Sequence, residues 1–175
     1  MRAAAFTPDG GRLLAGGGDG RLWEFDLRAA GRPCVAASTD EGAAAVLSLA
    51  CSPDGRYVAS GADSGCVNVY GRGGPGLPLP PSPKPSRAFL NLVTGIDTAA
   101  FSPDGQMLAF ASRFAKDALR VAHAGALTVF PNWPTGRSPL HYVHSVAFSP
   151  GGGLLAVGNA RGQALLYRLK AYDRV

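Results

Sequence analysis

Short apolar runs alternate with clusters of turn-forming residues along the whole chain. Leu13-Leu14-Ala15, Tyr57-Val58-Ala59, Met107-Leu108-Ala109 and Leu154-Leu155-Ala156 each follow such a cluster. Runs this short, bounded by Gly, Pro, Asp and Ser, predict strands, and few segments read as helix. The clusters repeat as well. Phe6-Thr7-Pro8-Asp9-Gly10 returns as Cys51-Ser52-Pro53-Asp54-Gly55, Phe101-Ser102-Pro103-Asp104-Gly105 and Phe148-Ser149-Pro150-Gly151-Gly152, with prolines 45, 50 and 47 residues apart. Ser-Pro-Asp-Gly suits a type I turn: a small polar residue first, proline second with φ preset, glycine fourth. With an apolar strand on either side, each copy predicts a β-hairpin.

A second turn joins each hairpin to a third strand. Gly18-Asp19-Gly20 leads to Leu22–Phe25, Asp63-Ser64-Gly65 to Val67–Tyr70, and Asn159–Gly162 to Ala164–Leu169. The third repeat has a looser connection, Arg113–Asp117, before Ala118–Ala122. Fourth strands are expected at Cys34–Ala37, Ala88–Leu92 and Leu127–Phe130. Four strands per period of this length predict a β-propeller blade. Runs such as Ala164-Leu165-Leu166-Tyr167 are apolar on both faces, as a blade between two neighbours requires. The expectation is an all-β chain of about four blades over 1–170, with repeats around 1–45, 46–95, 96–142 and 143–170 and a tail at 171–175. Residues 71–86, rich in Gly and Pro, form an insert expected to be an extended, exposed loop, more a spacer than a ligand. Four blades predict an incomplete propeller, an open arc or a small strained ring, whose uncovered faces and edge favour aggregation unless a partner or second copy covers them.

Composition sharpens this picture. Apolar residues make up 46% of the chain, enough for a core, and the 24 glycines and 14 prolines suit many tight turns. No run of about twenty apolar residues is present, so no transmembrane helix is expected. Pro8-Asp9-Gly10 interrupts the first apolar stretch too early for a signal peptide. Cys34, Cys51 and Cys66 lack metal or redox spacing and read as small hydrophobes. The net charge of +5 is uneven: no acid lies between Asp117 and Asp173, a stretch that holds Arg120, Arg137, Arg161, Arg168 and Lys170. Such asymmetry suggests an acidic partner, RNA phosphate or an acidic protein segment, but no two of these basic residues are adjacent, which fits separate solvated side chains better.

Candidate chemistry is sparse. No GxSxG, HExxH or P-loop pattern occurs, and glycine-rich Gly16–Gly20 precedes a strand, not a helix. His141 and His144, three apart, fall on opposite faces of a strand, and His123 stands alone. Asp9, Asp54 and Asp104 belong to the turns. No catalytic, cofactor or metal residue is expected, and neither an enzyme nor a small-molecule substrate. A propeller hydrolase would rest on fold alone.

Trp23-Glu24-Phe25-Asp26 resembles the Trp-Asp ending of a WD40 repeat in altered form. Several ordered segments resemble the U3 small nucleolar RNA-associated protein 18 family more specifically: Thr39–Gly42, Ser52–Tyr57, Asp63–Tyr70, Asn91–Thr94, Phe130–Pro134 and Gly158–Leu169. Over about residues 1–172 they look like the C-terminal part of that family's propeller. The resemblance implies a nucleolar scaffold of the U3-containing small-subunit processome, active in pre-18S rRNA processing and joined to other WD40 proteins there. Family members are longer, with a charged N-terminal region and about seven blades. The candidate partner-binding residues are Arg120, Trp133, Arg137, Arg161 and Arg168. RNA contact, if made, is expected through phosphates, because aromatic and basic residues do not interleave. The alternative is a generic WD40 adaptor outside the nucleolus, a substrate receptor or signalling scaffold.

Overall fold

The computed structural model describes residues 1–31, 34–74, 77–134 and 139–169. Its strands fall into four antiparallel sheets, each built in chain order. The first blade holds β1 (Ala3–Phe6), β2 (Arg12–Gly16), β3 (Arg21–Asp26) and β4 (Cys34–Thr39). The second holds β5 (Val46–Cys51), β6 (Tyr57–Ala62), β7 (Val67–Gly71) and β8 (Arg87–Phe89). The third holds β9 (Thr98–Phe101), β10 (Met107–Ala111), β11 (Leu119–His123) and β12 (Thr128–Val129). The fourth has three strands among the described residues: β13 (Val143–Phe148), β14 (Leu154–Asn159) and β15 (Ala164–Arg168). β1, β5, β9 and β13 lie next to one another in that order, so the sheets fan out from their first strands. The expected outer strands are present with shifted limits. β4 runs on to Thr39, whereas β8 and β12 are shorter than their apolar runs.

The repeated turn behaves alike in all four blades. The N–H of Gly10, Gly55, Gly105 and Gly152 donates to the carbonyl of Thr7, Ser52, Ser102 and Ser149 at 2.8–2.9 Å. Each of these glycines has φ between 66° and 73°, the left-handed region that glycine enters at little cost. In the first three turns the hydroxyl also donates to the aspartate carboxylate at 2.5 Å, from Thr7 to Asp9, Ser52 to Asp54 and Ser102 to Asp104.

Strand pairing gives every blade two faces with a fixed identity. On one, the back face, Phe6–Leu13–Phe25 of the first blade align with Cys51–Val58–Tyr70, Phe101–Leu108–Ala122 and Phe148–Leu155–Tyr167. The register therefore matches Leu13, not Leu14, to Val58, Leu108 and Leu155. On the other, the forward face, the inner strand presents alanine in all four blades: Ala5, Ala50, Ala100 and Ala147. Forward faces meet back faces at three joints. Leu14 and Leu22 pack with Val46, Val58 and Tyr70. Ala59, Val67 and Val69 pack with Leu108 and Phe110. Ala109, Leu119 and Val121 pack with Leu155 and Val157. Gly16 and Gly61 permit the close approach. A Cβ there would lie 2.5 Å from Val46 Cγ1 and 2.7 Å from Ile96 O, both entering the next blade.

Burial follows from position in the row. β6, β7 and β10 are buried at almost every residue, because both faces of the two middle blades are covered. β15 instead alternates between exposed and half-buried, the pattern of a sheet with one wet face. Among the described residues the row of blades is thus an open arc, with a partly exposed face at each end.

Much of the insert is exposed, as expected of a loop, yet part of it is anchored to the blades. Arg72, Leu79 and Pro83 are buried, and the Arg72 Nε–H donates to Leu77 O at 2.7 Å, folding the segment back on itself. The Leu79 N–H then donates to Glu24 Oε2 of the first blade at 3.0 Å. Apolar Leu79 and the buried Arg72 draw this polar-looking stretch onto the sheet, a tertiary effect that its composition hides.

Candidate functional site

Two buried polar clusters join the first and second blades. Asp40, in the connection from β4 to β5, accepts three hydrogen bonds on Oδ1: from Ser60 Oγ at 2.8 Å, Asn68 Nδ2 at 2.9 Å and Tyr70 Oη at 2.5 Å. Tyr70 Oη in turn accepts the Glu41 N–H at 3.0 Å. Ser60 lies on β6 and Asn68 and Tyr70 on β7, so the carboxylate locks the connecting loop onto the second sheet. Asp40 Oδ2 is buried without a hydrogen-bond partner among the described residues. Burial pushes the Asp40 carboxyl above its ordinary value, and the donors from Tyr70, Asn68 and Ser60 only partly oppose it. Burial, with the neighbouring Asp40, also raises the Tyr70 hydroxyl.

The second cluster centres on Glu24 of β3. It forms a sealed ion pair with Arg72 and a longer one, 3.3 Å, with Arg12. Both clusters hold blades together, and among the described residues their hydrogen-bond and ion-pair partners are other side chains and backbone groups of the same two blades and their connections. Among the described residues no group of three or more His, Cys, Asp or Glu side chains is placed to hold a metal ion.

The loops that link neighbouring blades use acids in a repeated structural role. Asp63 Oδ1 accepts the Ala44 and Ala45 N–H groups at 3.2 and 3.1 Å. Asp97 Oδ1 accepts the Arg113 N–H at 3.0 Å, and Asp117 Oδ1 those of Leu140 and His141 at 2.7 and 2.8 Å. On this rim, Thr94 Oγ1 and Ser112 Oγ hydrogen-bond at 2.7 Å and tie two loops together. Beside that tie stand exposed Val93 and Phe114, with the Arg113 guanidinium 5.2 Å from the Phe114 ring. This apolar and basic rim patch was not singled out from sequence. Asn91–Thr94 carried the family resemblance, but nothing local showed that Phe114 would lie alongside.

The sequence-derived contact residues are scattered. Arg120 is half-buried on β11, at the back-face position where the second blade has Asn68, and donates to Leu119 O at 2.7 Å. Trp133 is half-buried, edge-on to Tyr167 with ring centroids 5.1 Å apart. Arg161 is exposed in the β14–β15 turn, whereas Arg168 is exposed at the far end of β15. Arg137 lies outside the described residues. The structure does not gather the four described residues into one patch. His144 is on β13, and His141 precedes that strand with φ 58°. His123 Nδ1 accepts the Ala126 N–H at 2.9 Å in the tight β11–β12 turn. Of the cysteines, Cys66 is buried, Cys51 half-buried and Cys34 exposed, so Cys34 departs from the expected role of a packed hydrophobe.

The blades and their turns agree with comparison to known proteins. Residues 34–71 match the WD domain, G-beta repeat. U3 small nucleolar RNA-associated protein 18 homolog from Arabidopsis thaliana is 40% identical over 177 residues, covering 99% of this chain and 31% of the relative. The Homo sapiens homolog is 39% identical over 174 residues with the same coverage. U3 small nucleolar RNA-associated protein 18 of Saccharomyces cerevisiae is 40% identical over 175 residues, 91% of this chain and 29% of the relative. The chain spans about a third of the length of these curated relatives. It belongs to the U3 small nucleolar RNA-associated protein 18 family, as the counterpart of that share of its members' sequence.

Proposed function

We propose that this chain is a non-catalytic WD40 scaffold in small ribosomal subunit biogenesis. It acts in the nucleolus as a component of the U3-containing small-subunit processome, during pre-18S rRNA processing. One observation carries this reading: the identity of 39–40% extends over 91–99% of the chain, to proteins named for association with U3 small nucleolar RNA.

The site geometry supports a docking role. Asp40, Glu24, Asp63, Asp97 and Asp117 all serve blade packing or loop closure, which leaves loop and sheet surfaces as the means of interaction. Other processome proteins, WD40 proteins among them, are the partners of this reading. They meet the rim at Val93 and Phe114, where an exposed aromatic residue beside an arginine suits an interface anchor. Contact with U3 RNA or pre-rRNA is made through phosphates by basic residues such as Arg161 and Arg168. Their dispersal makes that contact secondary to protein docking and strongly salt-dependent.

Imaging the tagged chain in cells tests the reading. It places the signal in the nucleolus, with dispersal when ribosomal RNA synthesis is blocked. Steady cytoplasmic signal that ignores the block would instead favour an adaptor working elsewhere.

A further inference from the structure

We infer that the loop rim of the third and fourth blades binds an acidic segment of a partner protein, one that carries aliphatic or aromatic side chains among its carboxylates. This partner chemistry deepens the proposed docking at Val93 and Phe114, the part of the proposed function on which it rests.

Hydrogen bonds make this rim one continuous surface. Thr94 Oγ1 meets Ser112 Oγ at 2.7 Å. The Asp117 N–H donates to His141 O and the Ala160 N–H to Tyr142 O, both at 2.9 Å. The loops that enter the third and fourth blades are thereby tied to the turns beside them. Val93, Phe114 and Tyr142 project from this surface, 90%, 57% and 46% exposed. Val93 and Phe114 belong to the two middle blades, whose faces are both covered. Packing does not require Tyr142. It precedes β13 at the position where Ala45 precedes β5, since Val143 pairs with Asn159 as Val46 pairs with Ala62.

Charge gives the partner its sign. The acids of this rim are turned inward: Asp97 and Asp117 accept backbone N–H groups, and Asp97 also pairs with Arg113 at 3.2 Å. Lys116 and Arg161 stay exposed and make no ion pair among the described residues. On the rim of the first two blades, exposed Asp19, Glu41 and Asp63 outnumber Arg2 and Arg21. An acidic segment is therefore drawn to the third and fourth blades and away from the first two. Apolar side chains beside separate cations suit carboxylates interspersed with apolar residues. Single-stranded RNA fits less well. Its bases need open ring faces to stack on, but one face of Phe114 is taken by the Arg113 guanidinium at 5.2 Å, and Val93 offers no ring. Loops already closed by hydrogen bonds also lose little freedom on binding.

The test places a benzophenone-bearing phenylalanine at the position of Phe114 in the full tagged chain, irradiates the cells and sequences the attached peptide by mass spectrometry. An acid-rich peptide with aliphatic or aromatic residues is expected. Lys116→Glu, at an exposed position, is expected to cut its yield about tenfold or more by like-charge repulsion. Arg28→Glu, exposed on the opposite rim, is expected to leave the yield unchanged. A basic or neutral peptide, cross-linked RNA, or equal losses from Lys116→Glu and Arg28→Glu overturn the inference. Imaging of the same cells separates the two readings. Nucleolar signal without the acidic cross-link overturns this inference and leaves the proposed function standing. A chain outside the nucleolus that still captures the acidic peptide overturns the proposed function alone.

Discussion

Glu24 of β3 and Arg72, just beyond β7, form an ion pair whose side chains are 2% and 1% exposed, across the joint between the first two blades. Their remaining capacity is met by Arg12, the Leu79 N–H and Leu77 O. The other two joints are apolar at the equivalent positions, so this pair gives the first joint its own identity. A buried ion pair contributes little net stability over an apolar pair of similar size, but losing one partner leaves a stranded charge.

Glu24→Ala or Arg72→Ala is therefore expected to cost about 3–5 kcal/mol. The joint replacement Glu24→Leu with Arg72→Met is expected to cost far less than the two single losses combined. Urea denaturation of the four proteins reads this directly. Additive losses would mean that the two side chains act independently.

Asp40 makes stability depend on pH. Its carboxyl is raised in the folded state by burial, so the native chain holds a proton that the unfolded chain has already released. That contribution is fully present below the unfolded value of about 4 and is lost as pH rises through the higher folded value. Asp40→Asn stays neutral throughout. The wild type is expected to lose stability relative to Asp40→Asn as pH climbs from about 4 until the folded carboxyl has ionised. Parallel stability curves for the two proteins would contradict the assignment.

The fourth turn lacks a feature of the other three. Ser149 has Gly151 two positions on, where Thr7, Ser52 and Ser102 find an aspartate. A Cβ at Gly151 meets nothing within 4 Å. Gly151→Asp is expected to stabilise the chain by about 1–2 kcal/mol, from one added hydrogen bond and a less free unfolded chain. A lower melting temperature would show that this turn differs in backbone from its three counterparts.

Thiol chemistry should distinguish the cysteines. Cys34 is exposed, Cys66 is buried, and burial pushes the Cys51 thiol up to about 11. A maleimide at pH 8 is expected to label Cys34 rapidly, and the other two only after unfolding. Fast labelling of two or three thiols in the native chain would contradict the packing of β5 and of the turn before β7.

The sequence discloses the blades because their signal is local. Each Ser-Pro-Asp-Gly turn fixes its own geometry within four residues, so strand order follows from the turns alone. The joints are less visible, since strands covered on both sides are apolar at nearly every position. Glu24 and Arg72 lie 48 residues apart, one in an altered Trp-Asp ending and the other in a glycine-rich insert. Nothing near either residue points to the other. Asp40 likewise meets donors from two later strands. Strand alternation does bear on Arg120: flanked by Leu119 and Val121 of the forward face, it must point to the back face, and at a middle blade both faces are covered. Trp133, a candidate contact residue from sequence, stands edge-on to Tyr167, a neighbour 34 positions later that no local pattern could reveal.

Affinity purification of the tagged chain, with quantification of the co-purifying RNA, bears most directly on its role. The account predicts enrichment of U3 small nucleolar RNA over an untagged control, together with ribosome-assembly proteins. Recovery of protein partners with U3 RNA at the control level would contradict it.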